Sequence, residues 1–123
     1  MDGDLPVELR TFILEHINSV AQLEALLLLR RSAGEWTVEA IARELRIDQA
    51  AASEQLTELT RRGVTQRLDG PERFRYAPRA DVDPVVAEIQ KAYEERRVRI
   101  IGLIYSTPRA RVQDFADAFR IRK

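Results

Sequence analysis

The sequence predicts a mainly α-helical fold with one small β-hairpin. Apolar residues recur at helical spacing along most of the chain, and the segment 36–76 contains two helices, a tight turn and a hairpin signal. The 123 residues are 45% hydrophobic and 33% charged, which suits one folded domain with a helical appendage. We therefore expect an N-terminal helix at 1–18, a central domain at 19–79 and a C-terminal helical region at 80–123.

Two helices are expected before the central segment. Pro6 suits a first helical turn, after which Leu9 and Ile13 share one apolar face. Ser19 is a candidate cap for a second helix that runs as far as Gly34. Its leucines are apolar on all sides, which indicates burial.

The central segment carries clear signals for where each element begins and ends. Thr37 is a good cap for the third helix, and Asp48 for the fourth. Gly63 would end the fourth helix in a conformation that glycine adopts without penalty. The residues 64–68 and 74–76 alternate weakly around a turn and predict two short strands. Trp36 is interpreted as a packing residue ahead of the third helix.

The segment from Leu23 to Tyr76 resembles the winged helix-turn-helix of bacterial transcription regulators, such as the MarR-type and related families. The matching features are Ile41, Leu45, Ile47, Asp48, Ala52, Leu56, Leu59, Gly63, Val64 and the hairpin. The resemblance implies a sequence-specific DNA-binding regulator that acts as a homodimer on double-stranded DNA. In this interpretation helix 48–62 lies in the major groove, and wing 64–77 lies on the DNA backbone or in the minor groove. The twofold symmetry of a dimer implies a palindromic operator.

In such regulators, residues just after the helix cap and one turn later approach the bases. In this sequence they are Gln49, Ala50, Ser53, Glu54 and Thr57. Glutamine can bond adenine, the hydroxyls can reach phosphate or base, and the alanine methyl can touch a thymine methyl. Glu54 is a departure, because many regulators carry a basic residue there and a carboxylate repels nearby phosphates. With the zero net charge of the chain, Glu54 motivates an alternative function, a protein-interaction module that regulates a partner without specific DNA binding.

Positive charge is expected from the hairpin and the residues that lead into it. Six arginines between 61 and 79 face only Asp69 and Glu72, which gives a formal net charge of plus four. Five of them are predicted DNA contacts, namely Arg61, Arg62, Arg67, Arg73 and Arg75. The alternative is an ordinary solvated hairpin of mixed charge.

The C-terminal region is predicted to form one long helix at about 85–105 and a last helix from Thr107. Heptad spacing predicts a dimerisation seam that only Arg96 interrupts, and the last helix adds two phenylalanines. The predicted dimerisation residues are Val86, Ile89, Tyr93, Ile100, Leu103, Phe115 and Phe119. Residues 96–123 carry a net charge of plus six, so this end could hold DNA or dock an acidic protein. The two phenylalanines could also fold back onto the core or onto the partner subunit.

Enzyme chemistry is not expected. His16 is the only histidine, cysteine is absent, and no glycine-rich phosphate loop occurs. No metal site or cofactor is expected, although a small-molecule pocket between the central domain and the dimerisation helices stays open. The longest apolar runs are too short to cross a membrane, so we expect a soluble protein. The absence of cysteine suits a reducing compartment, so we expect it in the cytoplasm.

Overall fold

The computed structural model describes residues 5–32, 34–69 and 73–106. The helices are α1 (Val7–His16), α2 (Val20–Arg31), α3 (Val38–Leu45), α4 (Gln49–Arg61), α5 (Asp83–Glu95) and α6 (Arg97–Tyr105). The strands are β1 (Trp36–Thr37), β2 (Thr65–Leu68) and β3 (Arg73–Tyr76). The prediction of a mainly helical chain with a small β component is confirmed. Within this described part of the chain, no single helix is both long and apolar enough to cross a bilayer.

The chain divides into two compact units. One contains residues 21–84 and is called the central unit here. The other, called the terminal unit, contains the described residues up to Val20 and from Val85 onward.

In the central unit, α2 and β1 are followed by two short helices, α3 and α4, which are joined by a tight turn. The Thr37 hydroxyl accepts a hydrogen bond from the Ala40 N–H at 3.0 Å, so the predicted cap of α3 is confirmed. Helix α3 ends at Leu45, and the next residue, Arg46, is left-handed with a φ of 59°. The Asp48 carboxylate then accepts from the Ala51 N–H at 2.6 Å and caps α4, also as predicted.

One edge of helix α4 is apolar and buried, and this burial holds the helix in the central unit. Ala52, Leu56 and Leu59 are each at most 1% exposed, and they form the narrow inward stripe that the sequence predicts. Helix α4 packs against α3, where Ile41 is fully buried. Gly63 ends the α4 segment with a φ of +80°, a conformation that strains residues with a side chain.

The β component is a three-stranded antiparallel sheet, in the order β1-β3-β2, and not a simple hairpin. Trp36 pairs with Phe74 across β1 and β3, and the Trp36 indole N–H donates to the Ser32 carbonyl at 2.9 Å. The sequence did not reveal β1 because two residues are too few to show an alternating pattern. Strands β2 and β3 appear where they were expected, and 70–72 of the predicted turn lie outside the described residues.

The predicted single helix at 85–105 is wrong, because it is interrupted at one residue. Helix α5 ends at Glu95, and α6 begins at Arg97 after Arg96 leaves the helical region, with φ −138° and ψ 53°. A continuous heptad would place Arg96 on the seam of Tyr93 and Ile100, which are buried. The break leaves Arg96 exposed, so its guanidinium stays in water.

The burial of one edge of α4 can be tested by substitution. We expect Leu56→Ala to lower the free energy of unfolding by about 2 to 5 kcal/mol, because it leaves a cavity where a side chain is fully buried. The matched control is Thr57→Ala, since Thr57 is the exposed neighbour. Its effect should stay within about 0.5 kcal/mol. Urea denaturation measures both values, and equal losses would contradict the placement of α4.

Candidate nucleic-acid interface

The side of α4 opposite its buried edge is exposed. Because successive helical residues are rotated by about 100°, positions three, four and seven apart share a face. The structure brings the five predicted base-reading residues together along this outer side. Gln49, Ala50, Glu54 and Thr57 are exposed, and Ser53 is half-buried. We call these five residues the α4 face.

The α4 face is more acidic than cationic. Asp48 occupies the N-terminus of the helix, where its carboxylate holds the Ala51 N–H that would otherwise be open to a phosphate. Glu54 lies within the face itself, and Glu58 lies one turn further on. The cations of this helix stand only at its C-terminal end, as Arg61 and Arg62.

Both of these arginines are paired with Glu58. Arg61 Nη2 and Arg62 Nε each lie 2.6 Å from Glu58 Oε2. Burial by itself raises the pKa of Glu58, but the hydrogen bonds from Arg61 and Arg62 outweigh it and hold that pKa below its ordinary value. The spacing of three and four residues on a helix is a signal in the sequence that could have revealed this network.

Two more arginines of the predicted DNA-contact region also have acidic neighbours. Arg73 forms an ion pair with Glu35 and donates a hydrogen bond to the Asp69 carbonyl at 3.2 Å. Arg79 lies 3.5 Å from Asp81, and both side chains are well exposed.

The count of six arginines against Asp69 and Glu72 holds for residues 61–79, but it leaves out carboxylates from elsewhere in the chain. Among the described residues, Glu58, Glu35 and Asp81 lie beside four of these arginines. With these three carboxylates included, the formal charge falls from plus four to plus one.

The remaining predicted contacts, Arg67 and Arg75, are exposed on neighbouring strands. Arg75 pairs with Gln66 across the two strands, and its Nε donates to Gln66 Oε1 at 2.8 Å. Arg67 pairs with Phe74, the buried residue of β3. Since side chains of directly opposed residues share one face of a sheet, Arg67 and Arg75 stand on opposite faces of the β2–β3 ladder.

A second polar cluster in the central unit was not identified from the sequence. The Tyr76 hydroxyl donates to Asp83 Oδ1 at 2.6 Å, and Arg30 Nε donates to the same oxygen at 3.2 Å. The hydrogen bond from Tyr76, supported by Arg30, lowers the pKa of Asp83 below its ordinary value. Burial, together with the Asp83 carboxylate, raises the pKa of Tyr76. Arg30 and Asp83 are 53 positions apart, so no local spacing signals this contact.

A cavity of about 320 Å³ adjoins this cluster within the central unit. Its lining includes Arg30 and Tyr76 of the cluster, and also Glu35 and Arg75. Two arginines and one carboxylate therefore border the cavity, so it presents charges of both signs.

The predicted dimerisation seam is largely covered within the chain. Val86, Ile89, Tyr93 and Ile100 are buried, and Leu103 is half-buried. Phe115 and Phe119 lie outside the described residues. The four buried side chains are thus not exposed to a second copy, while homodimerisation itself stays a prediction.

Comparison with known proteins gives no further guide. No protein-family model, curated protein or solved structure matches this chain. The assignment of a function therefore depends on the residues and contacts described above.

The Asp83 cluster generates a prediction about acid stability. Asp83 has a lowered pKa in the folded chain, so its contribution to stability is present above the pKa of the unfolded chain, about 4 for aspartate. That contribution is lost as the pH falls through the lower pKa that Asp83 has in the folded chain. We expect Tyr76→Phe to raise the pKa of Asp83 towards its ordinary value. The contribution of Asp83 to the pH dependence of the free energy of unfolding should then become smaller. An NMR titration of the Asp83 carboxyl carbon measures the change.

The control for this experiment is Tyr105→Phe, because Tyr105 is an exposed tyrosine of the terminal unit. It should leave the titration of Asp83 unchanged. An unchanged Asp83 titration in the Tyr76→Phe protein would show that the hydroxyl does not stabilise the carboxylate.

Proposed function

We propose that this protein is a DNA-binding transcription regulator of the winged helix-turn-helix type. Helix α4 would lie in the major groove, and the β2–β3 hairpin would lie along the DNA backbone or in the minor groove. The α4 face is the observation that carries the proposal. Its exposed side chains are small or polar, while the opposite edge of the same helix is buried and holds it in place.

The side chains of the α4 face have chemistry that fits base edges. Gln49 can donate to and accept from adenine, and the Ala50 methyl can contact the methyl of thymine. The hydroxyls of Ser53 and Thr57 can bond either a base or a phosphate. Glu54 can accept a hydrogen bond from the N4 amino group of cytosine, which would favour a C·G pair at that position.

The charge balance favours modest and selective binding over strong attraction to any DNA. The zero net charge of the chain gives no general positive field. To bind phosphates, Arg61, Arg62 and Arg73 would have to give up their carboxylate partners. Arg75 Nε donates instead to an uncharged amide oxygen, that of Gln66. A homodimer on a palindromic operator would double the number of contacts and compensate for this weak attraction.

The ion pairs themselves favour a second candidate function, a protein-interaction module without specific DNA binding. Glu58 and Glu35 occupy three of the arginines that a DNA-binding surface would offer to phosphates. A surface of alternating charge suits a protein partner with the complementary pattern. The salt dependence of DNA affinity distinguishes the two candidates. Phosphate contacts release counterions, so the affinity of a DNA-binding protein falls as the salt concentration rises. A protein-interaction module would show no such DNA affinity.

Arg75 provides the first test. We expect Arg75→Ala to weaken binding to genomic DNA fragments across sequences and to reduce the slope of log affinity against log salt by about 1. Arg79→Ala is the matched control, because Arg79 is an exposed arginine already placed beside Asp81. Arg79→Ala should reduce the slope of log affinity against log salt by less than Arg75→Ala does. Fluorescence anisotropy over a salt series measures both, and a flat salt response of the unaltered protein would reject DNA binding.

Glu54 provides a test in the opposite direction. We expect Glu54→Gln to tighten binding to non-specific DNA severalfold, because it removes a negative charge that faces phosphates and keeps the side-chain shape. Glu88→Gln makes the same change on an exposed carboxylate of α5 and should have no such effect. Unchanged affinity in the Glu54→Gln protein would place α4 away from the DNA.

A further inference from the structure

The central unit contains a cavity to which the proposed function assigns no ligand. Its volume is about 320 Å³, which lies at the lower end of the range for small-molecule sites. Leu29 is fully buried, whereas Glu35 and Arg75 are exposed, so the cavity has a buried floor and reaches the surface. The complete lining consists of Leu29, Arg30, Gly34, Glu35, Arg75 and Tyr76.

The cavity lies where the β1–β3 ladder ends. The last pair of that ladder is Trp36 with Phe74. One further step of the same register would set Glu35 opposite Arg75, but β1 does not extend to Glu35. Gly34 has a φ of +116°, a conformation that glycine adopts without penalty. The chain thus turns away from β3 before β1 begins, and both of the separated segments line the cavity.

Arg75 is the cation of this cavity that faces no carboxylate. Its Nε donates to the amide oxygen of Gln66 at 2.8 Å, a partner that carries no charge. In the part of the chain that the structure describes, no carboxylate forms an ion pair with its guanidinium. An exposed guanidinium at the edge of a cavity, without a carboxylate partner, favours an anionic ligand.

The other charges of the cavity are balanced within the chain. Glu35 forms an ion pair with Arg73, and Arg30 forms one with Asp83. Together with Arg75, these groups are three arginines and two carboxylates, which gives a formal charge of plus one. The charge that no carboxylate compensates is therefore that of a single guanidinium.

We propose that this cavity binds a small organic monocarboxylate through Arg75. A guanidinium presents a planar fork of N–H groups, which matches the two oxygens of a carboxylate. The single negative charge of the ligand equals the formal charge of plus one. The half-buried Tyr76 borders the space for a short apolar body. The site goes beyond the proposed function and does not require DNA binding.

The first experiment uses butanoate as the probe and butanamide as its uncharged counterpart of the same shape. In the NMR spectrum of the full chain, butanoate should shift the backbone amide signals of Gly34, Glu35, Arg75 and Tyr76. The shifts should saturate with a dissociation constant of about 1 to 10 mM, as expected for so small a ligand. Butanamide should bind at least about tenfold more weakly, because it forms no charge-assisted hydrogen bond. Sodium chloride keeps the ionic strength constant throughout.

Inorganic phosphate is titrated in the same way, because a guanidinium also binds phosphate. Butanoate should bind more tightly than phosphate, since a dianion exceeds the formal charge of the cavity and is repelled by Glu35. Tighter binding of phosphate would overturn the assignment of a carboxylate ligand.

Two substitutions should change the butanoate affinity in opposite directions. Arg75→Gln should lower it about tenfold or more, because the charge-assisted hydrogen bonds are lost. Glu35→Gln should raise it severalfold, because it removes a carboxylate that repels the ligand and keeps the side-chain shape. The matched control is Arg67→Gln, which makes the same change on the other face of the β2–β3 ladder and should leave the affinity unchanged. Thermal unfolding verifies that each variant is folded.

Three further results would overturn the proposal. The first is the absence of saturable shifts at these four amides up to about 50 mM butanoate. The second is equal affinity for butanoate and butanamide. The third is an unchanged butanoate affinity in folded Arg75→Gln or Glu35→Gln protein. None of these measurements involves DNA, so their failure is distinct from a failure of the proposed function.

Discussion

The burial of one edge of α4 is the constraint on which the proposed site depends. Ala52, Leu56 and Leu59 are excluded from water, so the geometry of the helix places the residues between them outward. The small Ala52 side chain suits a position where α4 packs closely against α3. The position of the α4 face is thus a consequence of packing on the opposite side.

The same helix also positions the sheet. Gly63 reverses the chain after α4, and the Val64 N–H donates back to the Leu59 carbonyl at 3.1 Å. The hydroxyls of Thr60 and Thr65 then lie 2.8 Å apart, which joins the last turn of α4 to the first residue of β2. The hairpin is therefore held at the C-terminal end of the α4 face, where a DNA-binding protein of the proposed type requires its wing.

Ion pairs decide how cationic this surface is. A count of arginines along the sequence gives a positive hairpin, but the folded chain brings carboxylates from α4 and from the Glu35 segment to the same arginines. The Arg73–Glu35 pair is partly exposed, and pairs of that kind contribute little to stability, so a phosphate could replace Glu35 at small cost. The side chains of Arg62 and Glu58 are only 17% and 21% exposed, so their pair is less open to such an exchange. Any preference for DNA must therefore come from hydrogen bonds at the α4 face in addition to charge.

The parts of the structure that follow local rules were predictable from the sequence. The caps at Thr37 and Asp48 and the positive φ of Gly63 each depend on a few neighbouring residues, and all three are confirmed. Strand β1 was missed because it is only two residues long and because its partner β3 is distant in the sequence. The Glu35–Arg73 pair was missed because its two residues are also distant in the sequence.

The interruption at Arg96 shows a different limit. Heptad spacing correctly indicated that Val86, Ile89 and Tyr93 share a face, and these residues are buried. The pattern could not tell whether that face packs inside the chain or against a second copy. It also could not show that one charged residue on the seam would divide the helix.

The central claim, that the α4 face contacts DNA, can be tested by chemical protection at one position. The chain contains no cysteine, so Thr57→Cys introduces a unique thiol on the exposed side of α4. Its rate of alkylation is measured with and without a genomic DNA fragment that the protein binds, beside Glu88→Cys on α5 as the control. We expect DNA to slow alkylation at position 57 and to leave the rate at position 88 unchanged. Equal alkylation rates at position 57 in the free and the DNA-bound protein would contradict it.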